Sequence, residues 1–517
     1  MGSKPLSAGK GALLLTVLGT LSQLLGFGYR VALSRLAGAE VMGLYQLIMP
    51  VYSVLLSVTA VGLTAAMSNL TSQYLALGNR KAVRQVRSTC LRLFFLLLLP
   101  VGIVVIWASD TISVHILGDA RTQLGLILLV PCVALTGVEN IHKHCFYGSE
   151  LVGPPAVVEL LEQFIRTAAV LGLLILFLPQ YPERVVGLIV AGMVICEVFS
   201  ALTLLLLYRR HTHRTGLSGS GESGVIRRRR IAAIALPVAA NALLGNLMGA
   251  ANSTLIPQKL VEGGMARSEA IAQLGVVCGM TMPMLALPTV FLGPLNLVLV
   301  PKLARASALN RPAEVRRLVG RAISVVSVVT LPTMAWMVVW GADLGQLLFR
   351  QNAIGAHLLP LALTMALSCF CSVLGSALNG VNKQRSVAVV SLLGSAVQLS
   401  FTLFLVPFPE IGMGGYVAGA LISTLVETLL FLWLMVRAIK LRLNLFSWLV
   451  APGLAALLSA LVSNLLFSYL KTAAIPLLPA CICSFLFALV LYLAALYAQG
   501  IRLHEVLNLR RAAKKRP

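Results

Sequence analysis

Apolar residues run along this chain in long blocks, not in alternation. About fourteen blocks can each be drawn as an α-helix of close to 20 residues or more, enough for a hydrocarbon core of about 30 Å. They fall at 11–33, 43–66, 91–109, 122–145, 156–178, 185–208, 231–256, 272–300, 321–341, 357–380, 386–407, 413–436, 448–470 and 475–498. The pattern predicts an all-α polytopic membrane protein.

Polar residues inside those blocks are the exceptions that need explaining. The fifth block opens with Pro154 and Pro155, which the first turn of a helix tolerates, and continues AVVELLEQFIR over 156–166. Glu159, Glu162 and Arg166 stand at i, i+3, i+7, on one face. Arg166 then lies roughly 16 Å along the helix, near mid-bilayer, where an isolated charge costs at least about 2.5–3.5 kcal/mol. Two readings are open. Glu162 and Arg166 form a structural ion pair inside a bundle, or the face lines a wet cavity that accepts a charged cargo.

Other blocks carry similar candidates. Arg30 either snorkels to the outer interface or, if the helix bends at Gly26-x-Gly28, enters a cavity. Its fork suits phosphate. Glu139, Glu197 and Glu427 are either hydrogen-bonded between helices or coupled to a cation, H+ or Na+. Asn241, Asn246 and Asn252 form a polar face that reads as packing glue. Pro283, Pro288 and Pro294 interrupt the eighth block and predict a hinge or gate.

An internal repeat divides the chain. AVVELL at 156–161 recurs as AVVSLL at 388–393, an offset of 232 shared by Gly148 and Gly380. ALGNRKAVRQV (76–86) resembles ALNRPAEVRRLV (308–319), and VAG at 190–192 recurs at 417–419. The unit is six helices, so both copies run the same way through the membrane, as parallel lobes around a central cavity. The expected division is an N-terminal lobe 1–226, a C-terminal lobe 227–446, and two added helices with a basic tail, 447–517. In the second copy Ser391, Gly394 and Gln398 replace Glu159, Glu162 and Arg166, so only one lobe keeps the charged face.

Composition adds direction. With 58% hydrophobic and 11% charged residues, the chain is no soluble domain. The net charge of +24 does not point to nucleic acid, because the basic residues cluster in alternate loops. Arg80–Arg92, Arg209–Arg230, Lys302–Arg317, Lys383–Arg385, Arg437–Arg442 and Arg510–Arg516 hold most of them. The rule that basic loops stay inside puts both termini in the cytoplasm. The linker GLSGSGESG, within 211–230, reads as flexible. The nine cysteines read as apolar packing residues. His142-x-His144 does not converge on a metal, and there is no phosphate-binding GxxxxGK[ST] loop, so neither a metal nor a cofactor is expected.

LGFGYRVALSRLAGAEVMGLYQLIMPVYSVLLSVTAVGLTAAMSNL (25–70) resembles the first two helices of the stage V sporulation protein B family. FYGSELVGPPAVVELLEQFIRTAAV (146–170) resembles that family's fourth-to-fifth helix junction, with Leu161, Glu162, Gln163 and Arg166 matching its Leu-Glu-Gln-x-x-Arg run. The family lies in the multidrug/oligosaccharidyl-lipid/polysaccharide exporter superfamily, with the lipid II flippases. The resemblance implies two six-helix lobes plus two helices, in a bacterial cytoplasmic membrane. It implies transport of an undecaprenyl-pyrophosphate-linked saccharide, a peptidoglycan precursor foremost, with spore cortex synthesis as one setting. Lipid II flippases carry cavity arginines near a similar Leu-Gly-Phe; here Gln23 and Tyr29 stand at those places, and Arg30 is one position on.

The expected mechanism is alternating access, with Arg30 and Arg166 on the phosphates and Glu159 and Glu162 orienting the arginine. The alternatives are a cation-coupled multidrug antiporter of the same fold and an exporter of another lipid-linked polysaccharide unit. No loop is long enough for a catalytic domain, so no enzyme is expected.

Overall fold

The structure is a computed structural model that describes residues 8–215, 219–441, 443–473 and 475–501. Arg442 and the basic tail at 510–516 lie outside them. The described residues are helical almost throughout. The elements are α1 (Ala8–Leu56), α2 (Gly62–Ala76), α3 (Arg80–Trp107), α4 (Gln123–Gly148), α5 (Gly153–Phe177), α6 (Val185–Thr215) and α7 (Gly224–Glu262). They continue with α8 (Arg267–Leu274), α9 (Leu292–Ala308), α10 (Pro312–Phe349), α11 (Leu358–Gly380), α12 (Gln384–Phe404), α13 (Met413–Ile439), α14 (Ala451–Thr472) and α15 (Leu477–Ala498).

Among the described residues, thirteen stretches are long and apolar enough to cross a membrane, the first of them the 60-residue Val17–Ala76. At about 1.5 Å per residue that stretch is far longer than a bilayer is thick, so it holds two spans. The helix breaks at Gly38, with φ 82° and ψ 179°, a conformation only glycine adopts readily. The break falls in the expected gap between the blocks 11–33 and 43–66, and the helix carries no non-helical residue at Gly26-x-Gly28. Splitting the stretch at Gly38 gives the fourteen expected spans.

The predicted interruption of the eighth block takes a definite form. After α8 the chain is π-helical over Gly275–Thr281, α-helical over Met282–Ala286 and 3-10 over Leu287–Phe291 before α9 begins. Pro283 and Pro288 each open one of these short turns, where their missing N–H does no harm, and Pro294 lies in the first turn of α9.

The chain divides into two compact units, Met1–Gly275 and Val276–Pro517. The expected lobe boundary is at 226, whereas the first compact unit runs on to Gly275 and takes in α7 and α8. In that unit α7 packs along α1 and α2, and α8 along α1. Gly43 and Gly275 let the backbones of α1 and α8 touch: a Cβ at either would meet a backbone carbonyl of the other strand of the contact, Ile271 or Ala39. The core of the first unit collects around Met67, Leu70, Phe94 and Phe146, all at most 4% exposed. In the second unit, one core joins α9, α10, α11 and α13, and another docks α14 and α15 on α10 through Trp336, Trp340, Phe467 and Tyr492. Trp336 Nε1 donates to Ser459 Oγ at 3.0 Å, and Tyr492 Oη to the Val328 carbonyl at 2.9 Å.

The linker is less free than its composition suggests. Asn79 Nδ2 donates to the Ser220 carbonyl at 3.0 Å, and the Glu222 amide donates to Gln85 Oε1 at 3.0 Å. Tyr74 donates to the Glu222 carboxylate, which also lies 3.4 Å from Arg230. Two backbone contacts and one acid thus hold residues 219–223 against α2 and α3.

Candidate functional site

Three neighbouring helices of the first unit bring charges into its interior. On α5, Pro155, Val158, Glu162, Val170 and Leu174 are buried and share one side, so the amphipathic face carries a carboxylate where an aliphatic residue would be ordinary. That face packs on α6, which also packs on α4.

Arg166 is surrounded by acceptors. It donates to Glu162 on its own helix, lies 3.5 Å from Glu197 Oε1, and points Nε at Cys196 Sγ, 3.4 Å away. Ser200 Oγ donates to the other Glu162 oxygen at 3.3 Å. One turn nearer the start of α5, Lys143 of α4 lies 2.9 Å from Glu159 and 3.8 Å from Glu139. Glu139, Glu162 and Glu197 are 4%, 5% and 2% exposed. Counting Glu139, Glu159, Glu162 and Glu197 against Lys143 and Arg166, the cluster holds two more acids than bases.

Removing such groups from water is expensive, and partners only partly offset the loss. The pairings keep most of the atoms compensated. One is not: Glu197 Oε2 is buried with no hydrogen-bond partner among the described residues.

Glu162, Cys196 and Glu197 present ligand atoms within 4.8 Å of one another, a spacing that suits a metal ion. The Arg166 guanidinium already stands at their focus and contacts all three. The trio is an arginine cradle, and the structure gives no reason to add an ion.

Several expectations change in detail. Glu162 holds Arg166, but Glu159 turns to Lys143 instead. Cys196 is more than packing, since its sulfur accepts from Arg166. Lys143 was not among the residues singled out from sequence. Its signal was present: it follows Glu139 by four within an apolar block, the spacing of a helical ion pair.

Arg30 on α1 is half-buried, and no carboxylate pairs with it among the described residues. α1 packs on α5, and Gly26 of α1 faces Gln163. The neighbouring Tyr29 is buried, its hydroxyl bonded to nothing among the described residues. Of the α7 asparagines, Asn246 Nδ2 bonds Ser57 Oγ at 2.6 Å and the Ser53 carbonyl at 3.3 Å, Asn252 is half-buried, and Asn241 is exposed.

The second unit keeps the same scaffold with different chemistry. Gln398, at the place of Arg166, donates to the Tyr416 carbonyl at 3.2 Å and accepts from Ser423 Oγ at 3.0 Å. With the VAG repeat as register, Ser423 stands for Cys196 and Glu427 for Ser200. Both contacts of the first copy thus recur with the residues changed. Glu427 is half-buried, apart from the first-unit cluster in sequence and unit.

The profile of the polysaccharide biosynthesis protein family matches residues 8–307. The stage V sporulation protein B of Bacillus subtilis (strain 168) is 23% identical over 424 residues, 81% of this chain and 82% of its own. The solved lipid II flippase MurJ in an inward closed conformation superposes with a TM-score of 0.69 at 12% identity, over 95% of this chain and all of that one. An inward-facing multidrug resistance MATE transporter of the MOP superfamily gives 0.65 at 14% identity, over 83% of this chain and 99% of that one. The fold is therefore the one these transporters share, as the resemblances at 25–70 and 146–170 imply.

Proposed function

This chain belongs to the polysaccharide biosynthesis protein family, and we propose from that membership that it is a flippase for a polyprenyl-pyrophosphate-linked saccharide. The cargo of first choice is an undecaprenyl-linked peptidoglycan precursor, moved by alternating access across a bacterial cytoplasmic membrane. Both termini face the cytoplasm in this reading, as the alternate basic loops require. The protein carries its cargo and does not transform it.

The observation that carries the proposal is the buried charge cluster of α4, α5 and α6, beside an arginine that has no acid. Both bases of the cluster are already paired with carboxylates. Arg30 has no such partner among the described residues, and it takes the pyrophosphate. Arg166 answers it from the next helix. When the anion arrives, it competes with Glu162 and Glu197 for the guanidinium. A carboxylate so released is too deep to stay charged alone and takes up a proton, with Glu197 Oε2 the open position. Cargo and proton are thereby linked. Glu139 and Lys143 extend the relay toward the start of α5, and Glu427 is the corresponding acid of the second unit.

Vesicles containing the purified chain and a fluorescent polyprenyl-pyrophosphate glycan test this. The parent moves the lipid, and Arg30→Gln lowers the rate at least about tenfold, the loss of one charge-assisted phosphate contact. An unchanged rate removes Arg30 from the site. A second reading, a cation-coupled multidrug antiporter, is favoured by the acid surplus itself. It holds if proton- or sodium-driven dye export occurs and lipid movement does not.

A further inference from the structure

Where the first turns of α3 meet the last turns of α6, a pocket of about 690 Å³ is lined by Arg84, Arg87, Leu91, Tyr208, Arg209 and His213 among others, with no carboxylate in its wall. Basic residues at a helix end are ordinarily orientation signals, and those need only be in water. Arg87 is held instead. Its guanidinium lies 4.3 Å above the Tyr208 ring, and its Nη1 is 3.4 Å from His142 Nε2. His142 is fully buried, and its Nδ1 lies 2.7 Å from the Val138 carbonyl. That nitrogen therefore carries the proton and Nε2 offers its lone pair to Arg87. Arg87 Nε is buried and bonded to nothing among the described residues. The arginine is aimed, and part of its donor capacity is unused.

The hollow continues around α3. A second part runs along Arg92, Phe95, Leu96 and Leu99, and a third along Thr89, Arg92, Arg227 and Arg228. Cations thus form one end, and uncovered apolar side chains the other: Leu96 and Leu99 are 67% and 60% exposed. A small inorganic anion would use the cations only. A ligand with a phosphate at one end and alkyl chains at the other uses both, and at a membrane interface an anionic phospholipid is that ligand.

We propose that this groove is a binding site for an anionic phospholipid, with its phosphate among Arg84, Arg87 and Arg209 and its acyl chains along Leu91, Leu96 and Leu99. The site is separate from the charge cluster of α4–α6 and does not depend on the transport reading. His142 and Tyr208 position Arg87.

The test uses the full chain in detergent. Native mass spectrometry measures retention of phosphatidylglycerol against phosphatidylcholine, and a thermal shift is read with each lipid and with inorganic pyrophosphate. Phosphatidylglycerol is expected to be retained and to raise the melting temperature, with the other two without effect. Arg84→Gln with Arg209→Gln lowers retention at least about tenfold, whereas Arg317→Gln, an exposed basic residue elsewhere, changes nothing. Equal retention of both lipids, an unchanged double variant, or an equal shift with pyrophosphate overturns the proposal. Should the double variant not fold, a photoreactive phosphatidylglycerol replaces it on the parent chain. Crosslinks within 84–99 and 205–213 support the site, and crosslinks elsewhere only refute it.

Discussion

Glu427 lies directly against Gly394. A Cβ added at 394 would come within 2.8 Å of Glu427 Cγ and 2.9 Å of its Cδ. At the equivalent place in the first repeat the acid is on the other helix, Glu162 of α5, and faces Ser200 of α6. The two copies keep one carboxylate at this contact but supply it from opposite sides.

That exchange can be tested by overpacking. Gly394→Ala should destabilise the chain by about 1–3 kcal/mol, as extra volume in a filled contact does. In a Glu427→Ala background the same change should lose less than half as much, measured by thermal unfolding in detergent. Additive losses would mean that the two residues do not share this space.

Arg166→Gln leaves Glu162 and Glu197 buried without their cation. Breaking a buried pair by removing one partner costs about 3–5 kcal/mol, whereas removing both partners is far milder. Arg166→Met with Glu162→Gln should therefore be more stable than Arg166→Gln alone. The reverse order would show that the guanidinium is not compensating Glu162.

Small residues set how closely α1 approaches α8. A Cβ at Gly43 would lie against the Ile271 carbonyl, which is backbone and cannot turn aside, while nothing lies within 4 Å of a Cβ at Gly28. Gly43→Ala should cost about 3 kcal/mol, the upper end for overpacking, and Gly28→Ala should be neutral or slightly stabilising through helix propensity. Equal melting temperatures for the two variants would contradict the packing.

One titration lies outside the spans. Burial alone would raise the Asp119 carboxyl, but hydrogen bonds from the Arg121 side chain and amide outweigh it, and the group is held below its ordinary value. Arg121 also lies 2.6 Å from Glu40. A depressed carboxyl stabilises the fold above its ordinary value, near pH 4, and the contribution is lost as pH falls through the folded value. The melting temperature should therefore drop more steeply below about pH 4 in the parent than in Asp119→Asn. Parallel curves would remove Asp119 from acid stability.

What could be read beforehand follows from how local each signal is. The spans were legible, because about 20 apolar residues in a row have few other uses. Glu162 and Arg166 were legible as a pair because four residues on one helix fix their approach. The partners on other helices were not: Glu197 is 31 positions beyond Arg166, and only packing of α5 on α6 joins them. Lys143 stands between His142 and His144, and its shorter contact, Glu159, comes from another helix. The gap between the blocks 11–33 and 43–66 foretold a break, but not that helix would run up to it on both sides and turn at Gly38 alone. The expected lobe boundary and the packing differ at α7 and α8, because a likeness between two stretches of sequence does not say which helices touch.

The break at Gly38 has a mechanical corollary. A corner made of one residue has no slack, and Arg121 ties Glu40, two residues on, to the approach to α4. The segment that carries Arg30 therefore has little room to slide relative to the span after it. What is left to it is pivoting about a single φ/ψ pair, so any stroke of that arginine must be an arc.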